Sequence, residues 1–139
     1  KSTLFPYTTL FRSHFAGIRN VYRGRLRSPD TGAGGTASFD TGTVRFAVLT
    51  EALPGPGCLL VRSEDVTVAL ARNETSAQNV FRGRITDLAP ARLGVEVAVD
   101  IGMNVYAWLT NESLARLELH PGKEVWVSFK ASAARFIEE

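Results

Sequence analysis

An all-β protein made of two tandem five-stranded barrels is what this 139-residue chain predicts. The first reason is an internal repeat. Residues 17–26 read GIRNVYRGRL and residues 76–85 read SAQNVFRGRI. Residues 46–50 (FAVLT) are echoed by 106–110 (YAWLT), and Pro56-Gly57 before CLLVRS by Pro121-Gly122 before KEVWVS. Matches in one order along the chain mark two diverged copies of one unit. The second reason is alternation. Val95, Val97, Val99 and Ile101 interleave with Glu96, Ala98 and Asp100, the period-2 pattern of a half-buried strand. The third is the near absence of helical patterning outside one short segment.

Taken in order, the first copy gives strands near 20–27, 36–40, 43–50, 58–62 and 66–70. Its Gly-rich stretch 31–36 reads as a loop or hairpin end. The second copy gives strands near 79–88, 95–101, 105–110, 125–130 and 132–137. In the last but one, Val125, Val127 and Phe129 alternate with Trp126, Ser128 and Lys130. The helix candidate is 111–119. Thr110 or Asn111 caps it, Glu112 sits in the first turn, Leu114 and Leu117 lie one turn apart, and His120-Pro121-Gly122 stops it. The first copy has the Pro- and Gly-containing stretch 51–57 at that place, so its helix is expected to be missing. Five short strands with one helix fit a small, partly open barrel of the OB type. The expected boundaries are 14–72 for the first repeat and 73–139 for the second. A barrel of this size has little core of its own. With Val, Ala, Leu and Phe turned inward, Tyr106, Trp108 and Trp126 face outward, and an interface between barrels is expected there.

Residues 3–13, TLFPYTTLFRS, resemble the in-frame translation of a sequencing adapter. Residues 1–13 are therefore set aside as an artefactual leader, and the natural N-terminus is expected to be missing. The chain carries 16 Lys and Arg against 14 Asp and Glu. The leader holds two of the basic residues and no acid, so the remainder is balanced and gives no bulk argument for a polyanion partner. No apolar run is long enough to span a membrane, no secretory signal is evident, and the cytosol is the expected compartment. One cysteine, Cys58, excludes an internal disulfide, and two scattered histidines cannot complete a zinc site with it. Cys58 reads as a small core residue, and His14 and His120 as surface or turn residues.

No nucleophile, metal-hydrolase or nucleotide-binding motif occurs, so the chain is not expected to be an enzyme on its own and no cofactor is expected. Arg23, Arg25, Arg27, Arg82 and Arg84 stand at alternate strand positions. A single-strand nucleic-acid face would need aromatic platforms beside them, but Tyr22 and Phe81 have the opposite parity. A solvated face paired with acids is the expected reading, with no nucleic acid bound. A second constellation suits a small anion. Lys130 and Ser128 share a face with Trp126, Thr110 ends a strand and opens the helix, and Ser113 lies in its first turn. Donors without carboxylates are what a tetrahedral oxyanion needs.

Residues 75–137 also resemble a molybdenum-binding Mop domain of the TOBE class. The points of similarity are Ser76-Ala77-Gln78-Asn79-Val80 with Gly83, then Ala107-Trp108-Leu109-Thr110-Asn111-Glu112-Ser113. They continue through Leu117-Glu118-Leu119-His120-Pro121-Gly122-Lys123-Glu124-Val125 to Phe129-Lys130-Ala131-Ser132. The resemblance implies oxyanion contacts from Ser76, Gln78, Thr110, Ser113, Lys130 and Ala131, with molybdate or tungstate as ligand. The family has Arg where this chain has Gln78, which removes a fixed charge, and Arg19 is at the matching place in the first copy. The first copy, through residues 14–21, Gly24 and 61–66, resembles the segment that follows the nucleotide-binding domain of ABC importer ATPases, with Ser63 in place of the usual Pro. The resemblance implies a missing ATPase domain, a membrane permease partner, a homodimer or higher homo-oligomer formed through the barrels, and a place on the inner face of the cell membrane. The alternative it leaves open is a structural TOBE dimerisation domain without a ligand.

Overall fold

The computed structural model describes residues 18–28 and 36–139, apart from the side chains of Ile18 and Arg19. The leader 1–13, His14, the Arg19 side chain and the glycine-rich residues 31–35 therefore lie outside the described residues.

The first repeat supplies β1 (Ile18–Arg27), β2 (Thr36–Asp40), β3 (Arg45–Leu49), β4 (Gly55–Arg62), a 3-10 turn (Ser63–Asp65) and β5 (Thr67–Ala69). The second supplies β6 (Asn79–Ala91), β7 (Gly94–Asp100), β8 (Asn104–Leu109), helix α1 (Asn111–Arg116), β9 (Glu124–Phe129), a 3-10 turn (Ala131–Ala133) and β10 (Ala134–Glu138). They form two five-stranded sheets, ordered β10-β4-β1-β2-β3 and β5-β9-β6-β7-β8. The molecule is all-β, two small OB-like barrels with one short helix in the second, as the alternation predicts.

The barrels exchange their last strands. β5 pairs antiparallel with β9 of the second repeat, and β10 pairs with β4 of the first. Each sheet is thus completed by the other half of the sequence, and the sheet boundary does not follow the 72/73 division of the repeats. One apolar cluster runs through both barrels. Phe46 of β3 joins them, with its ring 5.1 Å from Tyr22, 5.5 Å from Phe81 and 5.7 Å from Phe129. Cys58 is buried at 1% exposure but lies outside that cluster, which takes Leu59 and Val61 from β4.

Two buried asparagines fasten one repeat to the other. Asn20 Nδ2 donates to the carbonyls of Tyr106 (2.9 Å) and Val61 (3.2 Å), and its Oδ1 accepts from the Tyr106 amide (2.7 Å). Asn79 does the same to Ala47, donating to its carbonyl (2.8 Å) and accepting from its amide (2.7 Å). Asn20 and Asn79 are 59 residues apart, and so are Ala47 and Tyr106. The echo of FAVLT in YAWLT is therefore one residue out of register. Phe46 and Val48 turn inward as Val105 and Ala107 do, so Ala47 corresponds to Tyr106. The Pro-Gly echo fails more completely. Pro56-Gly57 lies inside β4, whereas Pro121-Gly122 forms the turn before β9.

Helix α1 is shorter than the 111–119 expected. Glu118 adopts φ 53°, its amide bonds the Ala115 carbonyl and the Leu119 amide the Leu114 carbonyl, closing the helix before His120. Lys123 Nζ then donates to the carbonyls of Leu117 (2.7 Å) and Glu118 (3.1 Å).

The arginine face is solvated and paired with acids. Arg23 bonds Glu139, Arg27 bonds Asp40, and Arg82 and Arg84 share Glu124. The Gly42 amide, and after it Arg27 and Arg45, hold the Asp40 carboxyl below its ordinary value. Arg82, and after it Arg84, do the same for Glu124. Carboxylates lowered by folding add stability above their unfolded values near about 4 and lose it as pH falls through the folded ones. Thermal melts are expected to show Tm flat from neutral pH to about 5 and falling below about 4. Asp40→Asn should make that fall shallower, and an unchanged acid limb would refute the assignment.

Candidate functional site

The six residues singled out in the sequence occupy two places. Asn79 on β6 pairs with Phe129 on β9, so Gln78 and Lys130 flank each other one step beyond the ladder. Lys130 leads into the turn that begins with buried Ala131, and Ser76 and Gln78 are exposed. Ala77, Trp126, Ser128 and Lys130 line an open cavity of about 570 Å³. At the other end of β6, Pro90 pairs with Val95 of β7, and Val95 with Leu109 of β8. Thr110 and Ser113 follow directly. The expected oxyanion set is therefore divided between the two ends of the longest strand, with Ser76, Gln78, Lys130 and Ala131 at its start and Thr110 with Ser113 at its finish.

The chemistry at the two ends differs. Thr110 Oγ1 accepts from the Ser113 amide and bonds the Ser113 hydroxyl, both at 3.1 Å. This is an ordinary N-cap, satisfied locally. The Lys130 cavity has donors in Lys130, Ser128, Thr67 and Arg72, but Glu64, Asp65 and Glu74 line it too. Those acids, which the sequence reading did not place there, oppose an anion. The outward aromatics also have partners within the chain. The Arg72 guanidinium sits 5.6 Å from the Trp126 ring centre. Trp108 Nε1 donates to the Arg92 carbonyl at 3.1 Å. Tyr106 is held through its backbone by Asn20.

Sequence reasoning missed a second cationic end. Asn20 pairs with Val61 as Asn79 pairs with Phe129, so Arg62 stands where Lys130 stands and Ser63 where Ala131 stands. By the same register, position 19 corresponds to Gln78. The signal was present in the shared Asn-Val of the two repeats, but the Pro-Gly echo pointed to a different alignment of β4 with β9. Among the described residues no cluster of His, Cys, Asp and Glu could hold a metal ion.

Two linked OB-like barrels, each with a cation leading into a 3-10 turn whose first residue is buried, define a tandem small-barrel β module. Residues 75–136 match the TOBE domain family. The chain is similar to the molybdate/tungstate import ATP-binding protein WtpC of Pyrococcus horikoshii, 36% identical over 74 residues, covering 52% of this chain and 21% of that protein. It is 41% identical over 91 residues to the molybdenum import ATP-binding protein ModC of Rhizobium etli, covering 63% of this chain and 25% of that one. The molybdenum-pterin-binding protein MopB of Rhodobacter capsulatus is 36% identical over 95 residues, covering 65% of this chain and 35% of its own. The chain thus spans about a fifth of the length of the first of these importer proteins. In fold it is similar to the cytoplasmic molybdate-binding protein ModG, solved with molybdate bound. The TM-score is 0.76 at 20% identity, over 90% of this chain and 99% of that one.

Proposed function

We propose that this chain is a molybdate- or tungstate-binding module, accessory to the ATP-binding subunit of an importer and without chemistry of its own. The observation that carries the reading is the TOBE domain at 75–136 in a chain whose relatives are named for molybdate, tungstate and molybdenum import or binding. The cation and hydroxyl positions agree with it. The family resemblance puts forward Ser76, Gln78, Thr110, Ser113, Lys130 and Ala131 as candidate contacts, and the related end at Arg62 and Ser63 offers the same backbone frame. Because the six candidates lie at two ends of β6, one complete site draws on both barrels or on a second copy of the chain. Bound oxyanion then favours one arrangement of barrels, which suits feedback on transport from the cytoplasmic side of the membrane. Calorimetric titration with molybdate, tungstate and sulfate tests the reading. Heat with the first two and none with sulfate is the expected outcome, and no heat with any of them from folded protein would refute it.

A structural dimerisation module with no ligand is the second reading. It is favoured by Gln78, by the acids beside Lys130, and by Thr110 and Ser113 satisfying each other. Gln78→Arg separates the two, since a degenerate oxyanion site gains affinity and a purely structural domain does not.

A further inference from the structure

We propose that of the two related ends of this chain, the one at Arg62 and Ser63 holds the oxyanion and the one at Lys130 does not. This rests on the oxyanion reading above and specifies where it applies.

The backbone frame is present twice. Arg62 enters the turn Ser63–Asp65 at φ −73°, ψ 137°, and Lys130 enters the turn Ala131–Ala133 at φ −75°, ψ 149°. The residue that follows is equally buried in both, Ser63 and Ala131 each being 5% exposed.

The surroundings are not equivalent. Following the Thr67–Ser128 pairing outward by two residues puts Asp65 across from Lys130, and both line the same cavity. Following the Ala134–Val61 pairing outward by one puts Ala133 across from Arg62. The exchange of last strands therefore sets an acidic position across from the lysine and an alanine across from the arginine. An anion at Lys130 shares its cavity with Asp65 and Glu74, while the acid held by Arg62 is Glu64 of its own turn.

The groups that could touch ligand differ in the same sense. Arg offers a planar fork that bonds two oxygens of an oxyanion at once, where Lys offers a point charge. Ser63 carries a hydroxyl where Ala131 has a methyl. The Ser63–Asp65 turn packs against β8, the strand that ends at Thr110, while the Ala131–Ala133 turn packs against β3. The turn at the Arg62 end is thus the one packed on the strand that leads into Thr110 and Ser113. Arg62 already bonds Glu64 at 3.3 Å, but both side chains are about half exposed. Such a pair is weak in water and yields to a dianion that offers several acceptors.

The test is titration of the whole chain with sodium molybdate, comparing Arg62→Gln with Lys130→Gln, each first checked by thermal melting. Arg62→Gln is expected to weaken binding by roughly tenfold or more, the loss of a charge-assisted contact, while Lys130→Gln stays within about twofold. Equal losses, or a larger loss from Lys130→Gln, overturn the assignment and leave the oxyanion reading standing. No binding by the unaltered chain overturns both.

Discussion

Replacing Asn20 with Ala is expected to lower stability by about 3 kcal/mol, because each buried backbone group left without a partner costs about 1–3 kcal/mol. The substitution removes the Asn20 bonds to the Tyr106 amide and carbonyl, and a donor from the Val61 carbonyl. It also leaves the Tyr22 hydroxyl, 3.0 Å from Asn20 Oδ1, with only the Asn104 carbonyl at 2.8 Å. Burial there holds the Tyr22 phenol neutral by raising its pKa, so the group gains nothing by ionising. Urea unfolding measures the loss as a lower midpoint with an unchanged slope. Asn79→Ala should cost less, since Asn79 makes two such bonds, both to Ala47. A cost below about 1 kcal/mol for Asn20→Ala would mean that water takes over these groups and the fastening is dispensable.

Gly57→Val should be comparably damaging, by steric means. A Cβ at Gly57 would strike the Ile137 carbonyl and lie 2.6 and 2.7 Å from two ring carbons of Phe136, far inside contact distance. Both neighbours belong to β10, so relief requires the C-terminal strand to move off β4. Overpacking of this kind costs about 1–3 kcal/mol, and loss of the β4–β10 ladder would add to it. Hydrogen exchange reads the result directly, as loss of protection in the amides of β10 ahead of those in β6 to β9. Retained protection in β10, with stability unchanged, would show that the strand has more freedom than its packing implies.

The strands and the helix were legible in the sequence because their signals are local. Val95, Val97 and Val99 all face inward, and Thr110 caps the helix as its position implies. The partners of 67–69 and 134–138 were not legible. An apolar strand of three to five residues has the same pattern whichever barrel it completes, and tertiary packing alone decides. The repeat alignment went astray for a related reason. Pro56-Gly57 and Pro121-Gly122 look alike as letters, but one meets the need for a strand residue without a side chain under Phe136 and the other the need for a turn. In the candidate site, Lys130, Thr110 and Ser113 could be nominated from motif positions. Their division between the ends of β6, and the acid across from Lys130, follow from strand pairing and could not.

The exchange of β5 and β10 also bears on descent. A single ancestral repeat could complete its barrel in this way only by borrowing a strand from a second molecule, and joining two copies in one chain makes that loan permanent at a high effective concentration. From then on the inherited unit is the pair: neither copy can be excised, shuffled into another protein or lost without taking a wall from the other. Within the pair each copy is released from identity, which a homodimer's single sequence forbids. The helix present after β8 and absent after β3, and the arginine and serine of one end set against the lysine and alanine of the other, are the divergence such a release permits.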